Sequence, residues 1–183
     1  MSATATLLTL EEFRQLPQRE GVRLELSEGV VTEMPGGGPD HEITKANIIG
    51  PLAAWSEQTG RGRVFAESLF SLSPSDAYIP DVAWLSAERL ARGPRNPLED
   101  APDLVVEVVS SETAAQLEKK VEAYLRHGSR AVSVAYPEQR AVRVFRRDGS
   151  SQLLQGEQAL EDREMLPGFQ VSVSRIFEGL LAS

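Results

Sequence analysis

The chain has 183 residues, the size of one compact domain, and its 41% hydrophobic and 25% charged residues are ordinary for a globular protein. It contains no cysteine, which excludes disulfides and thiolate metal sites, so any metal must use oxygen ligands or the two histidines. The formal net charge of −8 argues against a surface that binds nucleic acid by bulk positive charge.

No apolar run approaches membrane-spanning length, and residues 1–6 lack the basic start and apolar core of a signal peptide, so we expect a cytoplasmic protein without membrane association. The positive charge is unevenly placed. The arginines that cluster are Arg89, Arg92, Arg95, Arg126, Arg130, Arg140, Arg143, Arg146 and Arg147. A local basic face is one interpretation, and a solvated charged surface is the simpler one for any single arginine.

The N-terminal part predicts a helix followed by a hairpin. Thr9 and Glu12 have the spacing of a capping box that starts a short helix. Residues 22–26 alternate apolar with polar side chains, as a strand does. Residues 27–29 form a tight turn, and residues 30–34 return as the hairpin partner.

A glycine-rich loop over residues 36–38 lacks the Walker spacing of a phosphate-binding loop. It leads into a helix over 40–58, in which Gly50 and Pro51 predict a kink or a break. Residues 63–72 then predict one strand.

The remaining chain alternates strands and helices. A polar turn is predicted over 73–76, strands over 81–85, 103–110, 131–135, 141–145 and 153–154, and helices over 86–91, 113–127 and 175–181. Residues 166–173 form a further closing segment. This order predicts an α/β fold with a mixed β-sheet flanked by helices, as a single domain over residues 1–183.

The strand over 103–110 is the centre of this prediction. Its β-branched residues follow one another without alternation, which is typical of a strand covered on both faces. Glu107 lies in its middle, where an unpaired carboxylate would cost several kcal/mol. Glu107 must therefore be neutral, hydrogen-bonded or bound to a cation, and a structural partner and a functional one are equally open.

A second carboxylate can join Glu107 from a neighbouring strand. Asp103 is on the same strand, about 13 Å away at about 3.3 Å per residue, which is too far to share an ion. Asp81 opens a different strand after Pro80 and can lie beside Glu107. Two carboxylates from neighbouring strands, with waters and a substrate phosphate, are a usual way to hold Mg²⁺.

The helix over 113–127 adds a lysine. At about 100° per residue, Leu117, Val121 and Tyr124 centre its buried face, which puts Lys120 at the border of that face and Lys119 in solvent. Lys120 could orient a metal-bound water or stabilise developing phosphorane charge. From spacing alone, a lysine that extends its ammonium group into solvent is the favoured alternative.

These residues together resemble the PD-(D/E)XK nuclease superfamily, and more narrowly the bacterial family called putative restriction endonucleases (the Uma-two group). The resemblance rests on Pro80-Asp81, on Pro102 to Ser110 around Glu107, and on Lys120 with Tyr124 one turn later. The resemblance extends over nearly the whole chain, since it includes the 24–29 hairpin, Asp40-His41 and the 166–169 segment.

The resemblance implies a restriction-endonuclease-like core with Mg²⁺ or Mn²⁺ at Asp81 and Glu107. The superfamily's basic pattern has a lysine two residues after the glutamate, where this chain has Val109; Lys120 matches the family's placement on the following helix. The sequence departs from the family pattern at Gln116, Ser133 and Tyr136.

Other residues are candidates with alternatives left open. Glu25 is either a third carboxylate at the metal or an exposed hairpin residue, with equal support. His41 could act as a general base or phosphate contact, although a polar helix-start residue is the simpler interpretation. Glu67 could face the same cleft, Tyr124 would support the site or pack, and His127 would cap its helix.

The first hypothesis is a metal-dependent endonuclease, a hydrolase acting on phosphodiester bonds in DNA, with Asp81, Glu107 and Lys120 as its catalytic residues. The second is a catalytically inactive nucleic-acid- or partner-binding module on the same fold, which the acidic charge and the altered strand after the helix favour. A third is a buried polar network in a structural protein. A homodimer is carried over from other nucleases of this fold.

Overall fold

A computed structural model describes residues 7–17, 22–34, 36–92 and 98–181. Arg95 and residues 1–6, on which two of the expectations above fall, lie outside the described residues. The helices are α1 (Leu10–Arg14), α2 (Pro39–Thr59), α3 (Ala87–Leu90), α4 (Ala114–Arg126) and α5 (Val173–Ile176).

The strands extend over most of the chain and are short. They are β1 (Arg23–Ser27), β2 (Val30–Met34), β3 (Gly62–Ala66), β4 (Phe70–Ser73), β5 (Asp76–Tyr78), β6 (Val82–Ser86), β7 (Leu98–Glu99), β8 (Leu104–Val108), β9 (Ala131–Tyr136), β10 (Ala141–Arg146), β11 (Ser151–Gln155), β12 (Ala159–Glu161) and β13 (Gln170–Ser172).

Among the described residues, the larger sheet has the order β11-β10-β9-β8-β6-β3. All of its neighbouring strands are antiparallel except β8 and β9, which are parallel and are connected through α4. The connection through a helix is what a parallel pair requires. This mixed sheet confirms the predicted fold class.

The central strand β8 is buried on both faces, as its continuous apolar sequence predicts. Val106 and its alternate neighbours pack on one face with Ile48 of α2 and with the C-terminal segment. Val105 packs on the opposite face with Tyr124 of α4. Because side chains alternate along a strand, Glu107 points to the same face as Val105, toward α4.

A second sheet has the order β2-β1-β5-β4-β7 and carries the predicted hairpin. Glu28 and Gly29 in its turn have φ of +50° and +80°, the combination of a two-residue turn that matches the twist of a hairpin. The predicted capping box of α1 is present, because the Thr9 side chain and the Glu12 backbone and side chain bond reciprocally. A small third sheet pairs β12 with β13.

The single strand predicted over residues 63–72 is wrong. The chain leaves the larger sheet after β3 and enters the second sheet as β4. Glu67 marks this change of direction with a φ of +47°, a left-handed conformation that is uncommon for a residue other than glycine. The polar turn predicted over 73–76 is also shorter, since Asp76 already belongs to β5.

Two helix predictions also need correction. Of the kink or break predicted at Gly50 and Pro51, the break is absent, because α2 continues from residue 39 to 59 with Pro51 inside it. The helix predicted over 175–181 is a single turn, α5, that begins earlier. The prediction of α4 is confirmed: Thr113 caps its start, and Gly128 follows its end with a φ of +115°. No helix in the described ranges is long and apolar enough to span a membrane.

Candidate active site

Strand pairing brings Asp81 and Glu107 together. Val82 of β6 lies opposite Val106 of β8 in an antiparallel register. The next pair outward is Asp81 and Glu107, and opposite residues of an antiparallel pair have Cβ atoms about 4.5–5.5 Å apart on the same face. Both side chains are buried, with 6% and 2% of their surface exposed. The two predicted carboxylates are therefore neighbours.

Glu107 is held from α4 by two donors. The Tyr124 hydroxyl donates to its Oε1 at 3.0 Å, and the Lys120 ammonium donates to its Oε2 at 3.2 Å. These residues lie one helical turn apart and so extend from the same face of α4. The helix places a neutral donor and a cation on one buried carboxylate.

Lys120 also contacts a second carboxylate. Its Nζ lies 3.1 Å from Glu25 Oε1, which in turn accepts a 2.8 Å hydrogen bond from the Ile79 backbone N–H. Lys120 is 5% exposed and Glu25 is 3% exposed, so Lys120 does not reach solvent and Glu25 is not an exposed hairpin residue. Lys119 is exposed, as predicted, and pairs with Glu28.

Asp81 is held by a histidine and by the backbone. His41 Nε2 lies 3.1 Å from Asp81 Oδ1, and the Val108 backbone N–H donates to Asp81 Oδ2 at 2.7 Å. The other ring nitrogen, Nδ1, lies 3.1 Å from Glu42 Oε1. Since both ring nitrogens face carboxylate oxygens, the geometry favours the doubly protonated, charged imidazolium.

The pKa values follow from this burial and pairing. Burial raises the pKa of Glu107 to about 8, with Lys120 opposing the shift and the neighbouring carboxylates adding to it. Burial likewise raises the pKa of Glu25, against the charge of Lys120. Burial opposes the charge of Lys120 as well, but its two carboxylate neighbours raise its pKa overall, so it remains an ammonium group at neutral pH.

The charged pair of Asp81 and His41 behaves differently. Burial disfavours the Asp81 carboxylate, but the hydrogen bond and charge of His41 together lower its pKa overall. Burial also disfavours the imidazolium, and Asp81 raises the pKa of His41 overall. Asp81 is therefore an anion at neutral pH. It lies next to Glu107, whose neutral carboxyl form burial favours.

Three neighbours of this cluster were not singled out by their sequence pattern. Glu42 and Lys45 lie on α2, with Lys45 Nζ 2.6 Å from Glu42 Oε2 and 2.7 Å from Glu67 Oε1. Arg23 of β1 lies 2.6 Å from the same Glu67 oxygen. The i, i+3 spacing of Glu42 and Lys45 is the one sequence signal that could have indicated them.

The other candidates lie apart from the carboxylates or serve the fold. Glu67 follows β3 instead of lying in a strand, and its side chain binds Lys45 and Arg23. Asp103 binds Arg89 at 3.1 Å and the Ser86 backbone N–H at 2.8 Å, which is a structural role. His127 is the C-cap residue of α4, as predicted.

The donor chemistry of the cluster fits a divalent cation. Asp81, Glu25 and Glu107 bring three carboxyl groups against two cationic side chains, Lys120 and His41; burial raises the pKa of Glu107, and a cation bound beside it would favour its ionised form. Asp81 and Glu107 offer the oxygen ligands that Mg²⁺ prefers. Within the described ranges no three acidic or histidine side chains converge as a complete metal cage, and an ion held by Asp81 and Glu107 would need its remaining ligands from water.

Two clefts give access to members of the cluster. One has a volume of about 210 Å³ and is lined by Glu25, Lys120 and Glu112, among others. The other has a volume of about 740 Å³ and is lined by His41, Arg140 and further residues from the β9–β10 turn. Glu25 and Lys120 thus line one cleft and His41 lines the other, and neither of these two clefts is lined by Asp81 or Glu107.

Comparison with known proteins agrees with this architecture. The family model Uma2, described as putative restriction endonuclease, matches residues 10–174. The crystal structure of a putative nuclease belonging to DUF820 from Anabaena variabilis ATCC 29413 has a TM-score of 0.85 at 20% identity, covering 93% of this chain and 97% of that chain. At this identity the similarity shows a shared fold. No curated protein matches the chain. The chain belongs to the Uma2 family of putative restriction endonucleases.

Proposed function

We propose that this chain, as one domain over residues 1–183, is a divalent-metal-dependent nuclease that hydrolyses phosphodiester bonds, with DNA as the expected substrate. The observation that carries the proposal is the β6–β8 register, which sets Asp81 opposite Glu107, together with the Lys120 ammonium on Glu107. Membership of the Uma2 family supports the same reaction class.

Asp81 and Glu107 would hold Mg²⁺ or Mn²⁺, which when bound polarises the scissile phosphate and lowers the pKa of an attacking water. Lys120 has a raised pKa and is a donor, so its role is to orient water by hydrogen bonding and to stabilise phosphorane charge. A role as general base does not fit a lysine held protonated by two carboxylates. Tyr124 fixes the orientation of Glu107 through its hydroxyl.

Glu25 is better assigned to Lys120 than to the metal. Its Oε1 accepts from the Ile79 backbone and contacts the Lys120 ammonium. With Glu107 on its other side, Lys120 is fixed by two carboxylates at nearly equal distances. Glu25 would therefore hold the lysine in place and keep it charged.

Titration calorimetry with Mn²⁺ tests this proposal before any substrate is known. We expect the wild type to bind, and Asp81→Asn and Glu107→Gln to lose binding while remaining folded by circular dichroism. Glu122→Gln is the matched control, because Glu122 is a 73% exposed acid of α4 that pairs with Arg126 instead. Binding that is indifferent to both changes, or no binding by the wild type, would reject the mechanism.

A second candidate function is a nucleic-acid- or partner-binding module without catalysis. It is favoured by one observation: both oxygens of Asp81 and both oxygens of Glu107 already accept hydrogen bonds from protein donors. Salt-sensitive DNA binding in the absence of metal would support this function, whereas metal binding that depends on both acids would support the first. Mass measurement in solution tests the homodimer that accompanies either function.

A further inference from the structure

Lys45 is a buried cation on α2 that the nuclease mechanism does not use. Only 8% of its surface is exposed, and its ammonium group lies within 2.8 Å of both Glu42 oxygens and 2.7 Å from Glu67. The two carboxylates come from different parts of the chain, one on the same helix and one after β3. Lys45 therefore joins α2 to the end of β3.

Glu42 continues these contacts toward the candidate active site. Its Oε1 lies 3.1 Å from His41 Nδ1, and the opposite ring nitrogen lies 3.1 Å from Asp81. A histidine ring is oriented by the hydrogen bonds of both of its nitrogens. The contacts thus run from Lys45 through Glu42 and His41 to the carboxylate of Asp81.

Glu67 closes these contacts into a ring. Its side chain binds Lys45, and its backbone N–H donates to the backbone carbonyl of Asp81 at 3.4 Å. Its backbone is left-handed, with a φ of +47°, which is an unfavourable conformation for a residue other than glycine. Such conformations persist where the surrounding contacts hold them, and here those contacts come from Lys45, Asp81 and Arg23.

The His41 ring is also confined from the other side. A Cβ atom added to Gly37 would collide with the His41 ring, so the loop backbone lies directly against it. The ring is 94% buried by this loop and by its neighbours. Glycine is required here because any larger residue would displace the ring.

We propose that Lys45 is a positioning residue of the candidate active site. By holding Glu42 and Glu67 it fixes the His41 ring against Asp81, and it thereby holds Asp81 in the orientation that binds a divalent cation. The part of this proposal that concerns the cation rests on the proposed nuclease function, whereas the part that concerns the His41 ring does not.

A structural role for Lys45 alone makes a different prediction. Glu42 and Glu67 have side chains 51% and 38% exposed, so water can replace the ammonium group at both carboxylates. Loss of Lys45 would leave both carboxylates hydrated. The fold should survive the change, so an altered His41 ring would report on positioning and not on unfolding.

The experiment compares Lys45→Met with Lys45→Arg, which keeps the charge, and with Lys119→Met as the matched control at an exposed ion pair. Long-range proton–nitrogen spectra of the metal-free proteins at pH 7 report the two histidine rings, and His127→Gln assigns them. We expect Lys45→Met to shift the His41 ring resonances while those of His127 stay unchanged. Lys45→Arg should restore them.

Mn²⁺ calorimetry on the same variants tests the link to Asp81. We expect Lys45→Met to bind about 10-fold more weakly, because residues that orient metal ligands typically contribute 10- to 100-fold to metal affinity. Lys45→Arg and Lys119→Met should bind as the wild type does.

Each result decides a separate claim. Unchanged His41 resonances in Lys45→Met would overturn the positioning role. Shifted resonances with unchanged Mn²⁺ affinity would overturn the link from His41 to Asp81. A wild type that binds no Mn²⁺ would reject the nuclease function and the claim about the cation, while the ring spectra would still decide whether Lys45 positions His41.

Discussion

Replacing Lys120 with methionine removes the ammonium group between two buried carboxylates while keeping most of the side-chain volume. Lys120 Nζ lies 3.1 Å from Glu25 and 3.2 Å from Glu107, and all three side chains are at most 6% exposed. Removing one partner of a buried ion pair costs about 3–5 kcal/mol because the remaining charge is uncompensated. For a protein of this size that is a fall in Tm of about 6–20 °C.

The loss of stability caused by Lys120→Met should increase as the pH rises. Glu25 and Glu107 already have raised pKa values, and loss of Lys120 raises them further. A carboxyl group whose pKa is higher in the folded state than in the unfolded state stabilises the fold at a pH below the unfolded-state pKa. This stabilisation is lost as the pH rises through the folded-state pKa. The deficit of Lys120→Met should therefore be large at pH 8 and small at pH 5, where both carboxyl groups can be neutral.

Thermal unfolding of the metal-free proteins, followed by circular dichroism, measures the stability deficit of Lys120→Met at pH 5 and at pH 8. Lys119→Met is the control: its side chain is 56% exposed in a surface pair with Glu28, for which we expect at most about 1 kcal/mol. Adding Glu107→Gln to Lys120→Met should recover part of the loss at pH 8. A deficit equal to that of the control, or one of the same size at both pH values, would refute the reasoning.

Three further predictions concern the same cluster. In the metal-free wild type, Glu107 should contribute stability that is lost as the pH rises from its ordinary pKa of 4.5 to its raised pKa of about 8. Glu107→Gln should therefore flatten the pH dependence of the unfolding free energy over this range, measured by chemical denaturation. An unchanged slope would contradict this prediction. Tyr124→Phe removes only the hydroxyl that donates to Glu107 and should cost about 1–3 kcal/mol by the same measurement, with no loss indicating that this hydrogen bond is dispensable. Gly37→Ala should displace the His41 ring, lower stability by about 1–3 kcal/mol and shift the ring resonances of His41, whereas an unshifted ring would show that the loop yields instead.

The parts of the site that sequence could predict depend on local periodicity. The continuous apolar run around Glu107 indicates a strand buried on both faces, and the structure confirms that burial. The helical repeat places Lys119 in solvent, as observed, and Lys120 at the border of the buried face, from which its ammonium group extends inward to Glu25 and Glu107 and not into solvent. Helix geometry determines these directions whatever packs against them, so short-range patterns are sufficient.

The parts that sequence could not predict depend on contacts between distant segments. A lysine at this helix position would be expected to be exposed. Lys45 is buried because it forms an ion pair with Glu67, which follows β3. The break between β3 and β4 lies at Glu67, a non-glycine residue with positive φ that has no compositional signature. Glu25 lies at a polar position of an alternating strand, which predicts exposure. It is buried because Lys120 of α4 packs against that face of the hairpin.

The central claim is that Asp81 and Glu107 together hold a divalent cation, and anomalous diffraction from crystals soaked in Mn²⁺ tests it most directly. The account predicts one strong anomalous peak at about 2.1 Å from an oxygen of each carboxylate, with the remaining ligands supplied by water. The same peak should be lost in Asp81→Asn crystals. A peak located elsewhere, or no peak between these carboxylates at a Mn²⁺ concentration that saturates the calorimetric titration, would contradict the claim.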